Sequence, residues 1–144
     1  MSRKHWLLVE RIENWQQDRA DGFRQFGLPS SKRSLGSKIA AGDELFFYVS
    51  SGISAFADIR EATKDGVERA RGLRYDTPFP WRVATRPLLT LSQEEWVPLK
   101  VLANDLDLTR GVEDWRYLVR NSLRQLSEHD AGEIRCALAR KPSR

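Results

Sequence analysis

Large apolar residues are concentrated in runs that predict buried β-strands. Residues 5–10 form one run near the start of the chain, and residues 44–50 form the densest one. Residues 53–62 follow after a short Ser-Gly connection, which predicts a strand antiparallel to residues 44–50. Residues 79–91 return to strand character, and Pro87 indicates a sheet edge or a bulge within them.

Helical signals come mainly from residues that cap helix starts. Asn14 is placed to be the N-cap of a short helix that begins at the next residue. Ser30 or Ser31 is placed to cap a second helix. Ser127 and Asp130 resemble the two ends of a capping box, and apolar residues at helical spacing follow them, which predicts a closing helix.

Polar stretches connect these elements. Residues 23–28 are predicted to be a turn or a short extended piece, and residues 63–77 a long loop with at most one helical turn. Residues 115–126 suit a short helix or an irregular segment, and the tail frays from about residue 141. The order of elements predicts an α+β fold, a curved sheet or partly closed barrel flanked by helices.

Composition favours one soluble domain. The chain has 144 residues, 40% hydrophobic and 31% charged, and no apolar run approaches the roughly 20 residues that span a bilayer. Its one cysteine, Cys136, suits the reducing cytoplasm and is predicted to be buried and inert. His5 and His129 lie far from it without metal-ligand spacing, so we expect no metal and no cofactor.

The charge balance favours a polyanionic partner. The net charge is +4 and the sequence pI is near 9.5, although a solvated basic surface would give the same values. Arginines dominate the basic residues in the second half of the chain. Their planar guanidinium groups match phosphate oxygens and stack on bases, which raises the case for nucleic acid.

Aromatic residues are abundant, with five tryptophans, six phenylalanines and three tyrosines. Most of them are expected in the core, Trp6 and Trp81 among them, because they lie on predicted strands. Aromatic side chains in loops are better candidates for stacking on a base. On that criterion we select Phe26, in a glycine-flanked turn, and Tyr75, in the long loop.

Signatures of catalysis are missing from the sequence. The glycines are too dispersed for a phosphate-binding loop, and neither histidine lies in a nucleophile motif. We therefore expect a binding module and not an enzyme.

Eight short motifs occur in order along nearly the whole chain. They are His5-Trp6-Leu7-Leu8-Val9, Glu13-Asn14-Trp15, Phe26-Gly27-Leu28-Pro29, Lys38-Ile39-Ala40-Ala41-Gly42-Asp43, Phe47-Tyr48-Val49-Ser50, Phe56-Ala57-Asp58-Ile59, Phe79-Pro80-Trp81-Arg82-Val83 and Leu126-Ser127-Glu128-His129-Asp130. Together they resemble the motifs of EVE domains, which belong to the PUA-like superfamily and are related to the YTH readers of methylated adenine in RNA. Here the usual Lys-Pro before Gly-Asp is replaced by two alanines.

The resemblance implies a single PUA-like domain over residues 1–144 and a pocket for one base turned out of a nucleic-acid strand. Asn14 matches an asparagine that hydrogen-bonds the base, with the N-cap role as the alternative. Phe26, next to Gly27, matches a tryptophan of the pocket wall, and Tyr75 or Phe79 is expected to form the opposite wall.

The implied partner is single-stranded RNA or DNA, with a modified base as one option. Its phosphates are expected to contact a basic group beside Phe26 and a second group on the other side of the pocket. The first group is Lys32, Arg33 and Lys38, and the second is Arg74 and Arg82.

Two other functions stay open. An enzyme, or an accessory domain of one, that acts on nucleobases or nucleotides would need an acid or base in the pocket, and Glu10 is the candidate. A strongly raised pKa at Glu10 would favour that function. A protein-interaction module with a vestigial pocket is the third, and a closed or apolar pocket without an aromatic pair would favour it.

Overall fold

The structure, a computed structural model, describes residues 3–50, 52–70, 78–113 and 123–140. Its strands are β1 (His5–Glu10), β2 (Gln25–Leu28), β3 (Glu44–Val49), β4 (Ala55–Ala62), β5 (Glu68–Arg69), β6 (Trp81–Thr90), β7 (Val97–Pro98) and β8 (Leu123–Leu126). Its α-helices are α1 (Ile12–Ala20), α2 (Arg33–Gly36), α3 (Leu99–Leu102) and α4 (Glu128–Ala139).

The strands form one mixed sheet that curls into a half-barrel. Six strands follow the order β2-β6-β4-β3-β1-β8, while β5 pairs with β6 and β7 pairs with β4. The pairing of β1 with β3 is parallel, and every other described pairing is antiparallel. The predicted fold class, an α+β curved and partly closed barrel flanked by helices, is confirmed.

A bulge lies where Pro87 predicted an edge or a bulge. In the pairing of β4 with β6, Ile59 faces Leu89 and Arg60 faces Pro87, so Leu88 is the additional residue. Proline has no N–H to donate to a ladder, and a bulge accommodates it inside a long strand.

Two of the three predicted helix caps are wrong. Helix α1 begins at Ile12 after Arg11, so Asn14 lies inside the helix and not at its N-cap. The second helix is a 3₁₀ turn followed by the four residues of α2, and it begins without a side-chain cap from Ser30 or Ser31. The closing helix is confirmed, because the Ser127 hydroxyl accepts a hydrogen bond from the Asp130 backbone N–H at 3.1 Å.

Strand pairing overrides local preference in two segments. Residues 25–28 form β2 because they pair with β6, which decides for the extended one of the two alternatives predicted for residues 23–28. Residues 123–126, predicted as helical or irregular, form β8 because they pair with β1. Within the loop predicted for residues 63–77, β5 adds a short strand. Residues 71–77 of that loop, and residues 114–122, lie outside the described residues.

The core consists of apolar side chains on both sides of β1 and β3, whose residues are all buried. Trp6 is buried as predicted, whereas Trp81 is only half buried, with the Arg33 guanidinium 4.1 Å above its ring. The prediction for Cys136 is wrong, because its side chain lies on the exposed side of α4. No helix within the described ranges is long and apolar enough to cross a membrane.

Candidate functional site

A cavity of about 410 Å³ opens where the carboxyl end of β1 meets α1, β2 and the segment that leads into β6. This volume lies within the range of roughly 300–1,000 Å³ that is typical of small-molecule sites. We call it the β1 cavity. It is lined by Val9, Glu10, Arg11, Asn14, Gln17, Asp18, Phe26, Gly27, Ser50, Pro78, Phe79 and Arg82.

Most of the base-pocket residues selected from the sequence line this one cavity. They are Glu10, Asn14, Phe26, Gly27 and Phe79, together with Arg82 from the predicted phosphate contacts. Tyr75 and Arg74 lie outside the described residues.

The basic group beside Phe26 is not part of the described cavity lining. Lys32, Arg33 and Lys38 lie outside that set, and Arg33 stacks on Trp81. Adjacent residues of a strand point to opposite faces, so Trp81 and Arg82 of β6 face different sides. A phosphate contact from these three residues stays a prediction, and Arg82 is the predicted cation that the cavity does contain.

Phe26 is a core residue that also reaches the cavity. It lies on β2 rather than in a loop, is 4% exposed, and meets Phe47 edge-on, with ring centroids 5.0 Å apart. Phe26 therefore presents part of its ring to the cavity while the rest is packed. The loop criterion that selected it is wrong, although the residue does line the cavity.

Gly27 allows two side chains to approach the backbone of β2. A Cβ atom added there would clash with the Arg82 guanidinium and lie 2.9 Å from the Phe79 Cβ atom. Gly27 faces Arg82 in the pairing of β2 with β6, so the missing side chain leaves room for both residues at the cavity wall. The close approach explains why glycine is required at this position.

Asn14 is presented to the cavity by the first turn of α1. Because residues four apart share a helix face, Asn14 and Asp18 point the same way, and both line the cavity. The four-residue spacing would have identified Asp18 as a second cavity residue if Asn14 had been placed inside the helix. Because Asn14 was predicted to be the N-cap, this spacing was not recognised.

A buried charge cluster, which we call the cavity floor, lies beneath the cavity and reaches its lining through Glu10 and Asp18. The Arg60 guanidinium, with no exposed side-chain surface, donates to Asp58 Oδ2 at 2.6 Å, to Asp18 Oδ2 at 3.1 Å and to Glu10 Oε1 at 3.3 Å. It lies 3.5 Å from the Phe47 ring, which adds a cation–π contact. Arginine within a buried strand was the signal for this cluster, because isolated arginines are rarely buried.

Glu10 holds a proton in this setting. Burial and the neighbouring Asp18 carboxylate raise the pKa of Glu10 to about 10, although the Arg60 guanidinium opposes them. Burial also raises the pKa of Asp18. The negative charge of Asp18 acts on Glu10, so the two carboxyl groups titrate as a pair.

Protonation of Glu10 predicts an unusual pH dependence of stability. Between the ordinary pKa of 4.5 and about 10, the folded protein keeps a proton that the unfolded chain releases. The stability contributed by this group is therefore complete at low pH and is lost as the pH rises through that window. Glu10→Gln removes the loss, so its free energy of unfolding relative to wild type should rise by at least about 1.4 kcal/mol between about pH 5 and about pH 8.

Urea denaturation at the two pH values measures this change. Glu13→Gln is the matched control, because the Glu13 side chain is 64% exposed and pairs only with Arg11 among the described residues. Parallel pH profiles for Glu10→Gln and wild type would contradict a proton on Glu10.

One group of potential metal ligands lies elsewhere, at the start of α4. Atoms of Asp107, His129 and Asp130 lie within 4.8 Å of one another. Asp130 already accepts hydrogen bonds from the backbone N–H groups of Asp107 and Leu108, at 2.6 Å and 3.0 Å. These bonds give the buried carboxylate a structural role in joining α4 to the preceding turn.

The fold is PUA-like. The human THYN1 protein, solved in complex with 5-methylcytosine containing DNA, superposes with a TM-score of 0.66 at 16% identity, over 96% of this chain and 99% of that chain. The YTH domain of the Zygosaccharomyces rouxii MRB1 protein, solved in complex with N6-methyladenosine RNA, gives a TM-score of 0.67 at 10% identity, over 99% and 88%.

Sequence comparison identifies the family. The model of the EVE domain family matches residues 4–137, so the chain belongs to the EVE domain family. A UPF0310 protein of Mesorhizobium japonicum is 27% identical over 143 residues, which cover 88% of this chain and 85% of that protein.

Proposed function

We propose that this EVE domain binds single-stranded nucleic acid and accepts one flipped, modified base in the β1 cavity. The observation that carries the proposal is the convergence of Phe26, Phe79, Asn14 and Glu10 on one base-sized space. The relatives that were solved with methylated DNA or RNA share this fold, which supports the same class of partner.

The aromatic residues supply an apolar wall for the face of a base. Phe79 is half buried beside Gly27 and Phe26 contributes the accessible part of its ring. Stacking on an aromatic side chain contributes about 1–3 kcal/mol per base. The amide of Asn14 and the carboxyl of Glu10 are then the groups that hydrogen-bond the base edge.

Arginine side chains at the cavity supply the contact with the strand. Arg82 lines both the β1 cavity and an adjoining depression that also contains Arg24 and Lys64. We propose that the phosphates flanking the flipped base contact Arg82 first and then this depression. Lys32, Arg33 and Lys38 would be reached only by a longer strand.

An exposed lone thiol at Cys136 supports a reducing location, the cytoplasm.

Binding of short oligonucleotides with one modified base tests this function. Asn14→Ala and Phe79→Ala should each weaken binding by at least about tenfold, which corresponds to about 1.4 kcal/mol of lost hydrogen bonding or stacking. Fluorescence anisotropy with labelled RNA and DNA, at two salt concentrations, measures the loss. Preference for one modified base that persists at the higher salt is the expected result, because base contacts are less salt-dependent than phosphate contacts.

Two control substitutions keep this experiment interpretable. Gln16→Ala changes an exposed residue of α1 outside the cavity, and Leu88→Ala changes an exposed apolar residue on β6. Both should bind like wild type. Equal losses in controls and cavity variants, or weak binding that ignores the modification and vanishes with salt, would leave only a basic surface and remove the base pocket.

A second candidate function is an enzyme acting on nucleobases or nucleotides, and the raised pKa of Glu10 is the observation that favours it. A protonated carboxyl in a cavity can act as a general acid. Chromatography of modified oligonucleotides after incubation tests this candidate. A product that Glu10→Gln abolishes would establish turnover, and recovery of intact substrate would remove this candidate.

The cavity gives no support to the third function, a protein-interaction module with a vestigial pocket. That function was expected to show a closed or apolar pocket without an aromatic pair. The β1 cavity is open and lined by Glu10, Asn14 and Asp18 beside two phenylalanines.

A further inference from the structure

The cavity floor contains more negative than positive charge. Three carboxyl groups, those of Glu10, Asp18 and Asp58, surround the single buried guanidinium of Arg60. Both oxygens of Asp58 accept hydrogen bonds, because the Trp15 indole N–H donates to Oδ1 at 2.8 Å and Arg60 donates to Oδ2. The excess negative charge is therefore assigned to Glu10 and Asp18, the two carboxyl groups that line the cavity.

Glu10 is the member of the cluster whose hydrogen bonding is incomplete. Its side chain is 3% exposed, and its Oε2 atom is buried without a hydrogen-bond donor among the described residues. Burial of a charged oxygen without a donor is costly, and burial is the largest cause of the raised pKa of Glu10. Because Glu10 lines the cavity, a ligand that brings its own positive charge beside this carboxyl group would replace the proton.

We propose that the β1 cavity selects a base that is positively charged near neutral pH, of the class formed by alkylation of a ring nitrogen, and that Glu10 ionises against it. This inference rests on the proposed function. The delocalised cation lies against the Phe79 ring, which attracts positive charge through its electron-rich face. An N–H group on the edge of the alkylated base donates to the Glu10 carboxylate.

Binding exchanges one charge for another at the floor. The cationic base enters and the Glu10 proton leaves to solvent, so the net charge of the cluster and its occupant is the same before and after binding. The charged groups that face Glu10 are Asp18 from α1 and Asp58 and Arg60 from β4. Arg11 and Arg82, which also line the cavity, remain available for the phosphate of the bound nucleotide.

Isomeric nucleotides separate the effect of charge from that of the methyl group. The probes are 3-methylcytidine and 5-methylcytidine monophosphates, and 1-methyladenosine and N6-methyladenosine monophosphates, because only the first of each pair is cationic near neutral pH. Calorimetric titration of wild type should give at least about tenfold tighter binding of the cationic isomer at about pH 7. Its affinity relative to the neutral isomer, which carries the same phosphate, should rise between about pH 6 and about pH 7.5, because a proton must leave Glu10 on binding.

Glu10→Gln keeps the size of the side chain and removes its ability to ionise. This variant should lose the preference for the cationic isomer and the pH dependence, whereas Glu13→Gln should keep both. The pH dependence in wild type is an independent measurement if the variant does not fold.

Three outcomes would overturn the inference. Equal or tighter binding of the neutral isomers would show a base pocket that ignores charge, which leaves the proposed function standing. A cationic preference that survives in Glu10→Gln would assign the charge to another residue. Failure of every isomer to bind, in nucleotides and in oligonucleotides alike, would remove the inference together with the proposed function.

Discussion

Replacing Arg60 with methionine should lower the free energy of unfolding by at least about 3 kcal/mol near neutral pH, because it leaves buried carboxyl groups without their counter-charge. Arg60 is the shared donor to Glu10, Asp18 and Asp58, and its guanidinium has no exposed surface. Methionine fills much of the same volume, so the loss reports mainly on charge. Acidification should recover part of the stability, since protonated carboxyl groups need no counter-charge.

The matched control for this substitution is Arg86→Met. Arg86 pairs with Glu61 at 3.0 Å, but its side chain is 59% exposed. Exposed ion pairs contribute about 1 kcal/mol or less, so this variant should unfold close to wild type. Urea denaturation of both variants measures the difference. Similar small losses in the two variants would contradict the central role of Arg60 in the buried cluster.

Phe26→Ala should lower the free energy of unfolding by about 3–5 kcal/mol, the cost of removing a phenylalanine from a packed core. Phe26 is 4% exposed and its ring meets Phe47 edge-on. Loss of the Phe26 ring would also disturb the wall of the β1 cavity that faces a bound base. Thermal and urea denaturation measure the loss, and a change below about 1 kcal/mol would place Phe26 outside the core.

Phe26→Leu separates the two roles of this residue. Leucine retains much of the packing and should cost about 1.5 kcal/mol or less, while it removes the aromatic face from the cavity. Weaker binding by a folded Phe26→Leu protein would assign a stacking role to Phe26. Unchanged binding would leave stacking to Phe79 alone.

Strand periodicity and motif order predicted most of this fold. The runs that became β1, β3 and β4 are apolar and almost entirely buried, which leaves little freedom in their assignment, and β6 is the longest strand. Short elements were harder, because β2 and β8 form through pairing with distant strands rather than through local preference. Tertiary context decides such segments, and a single sequence does not carry it.

The candidate site was predicted in part. The resemblance to EVE domains selected residues that the structure brings together, although the loop argument for Phe26 and the cap argument for Asn14 were wrong. Sequence reasoning missed the cluster of Arg60 with Asp18 and Asp58. Asp58 and Arg60 are close together on β4, but Asp18 is 42 residues from Arg60 along the chain, and its contact with them depends on how α1 packs against β4.

The most direct test of the base-binding cavity is a heteronuclear NMR titration of the ¹⁵N-labelled protein with the methylated nucleoside monophosphates. The largest changes in amide chemical shift are expected at Glu10, Asn14 and Gly27, around the β1 cavity. Changes centred instead on the groove between α3 and α4, near Val101 and Cys136, or on Arg33 beside Trp81, would contradict the account.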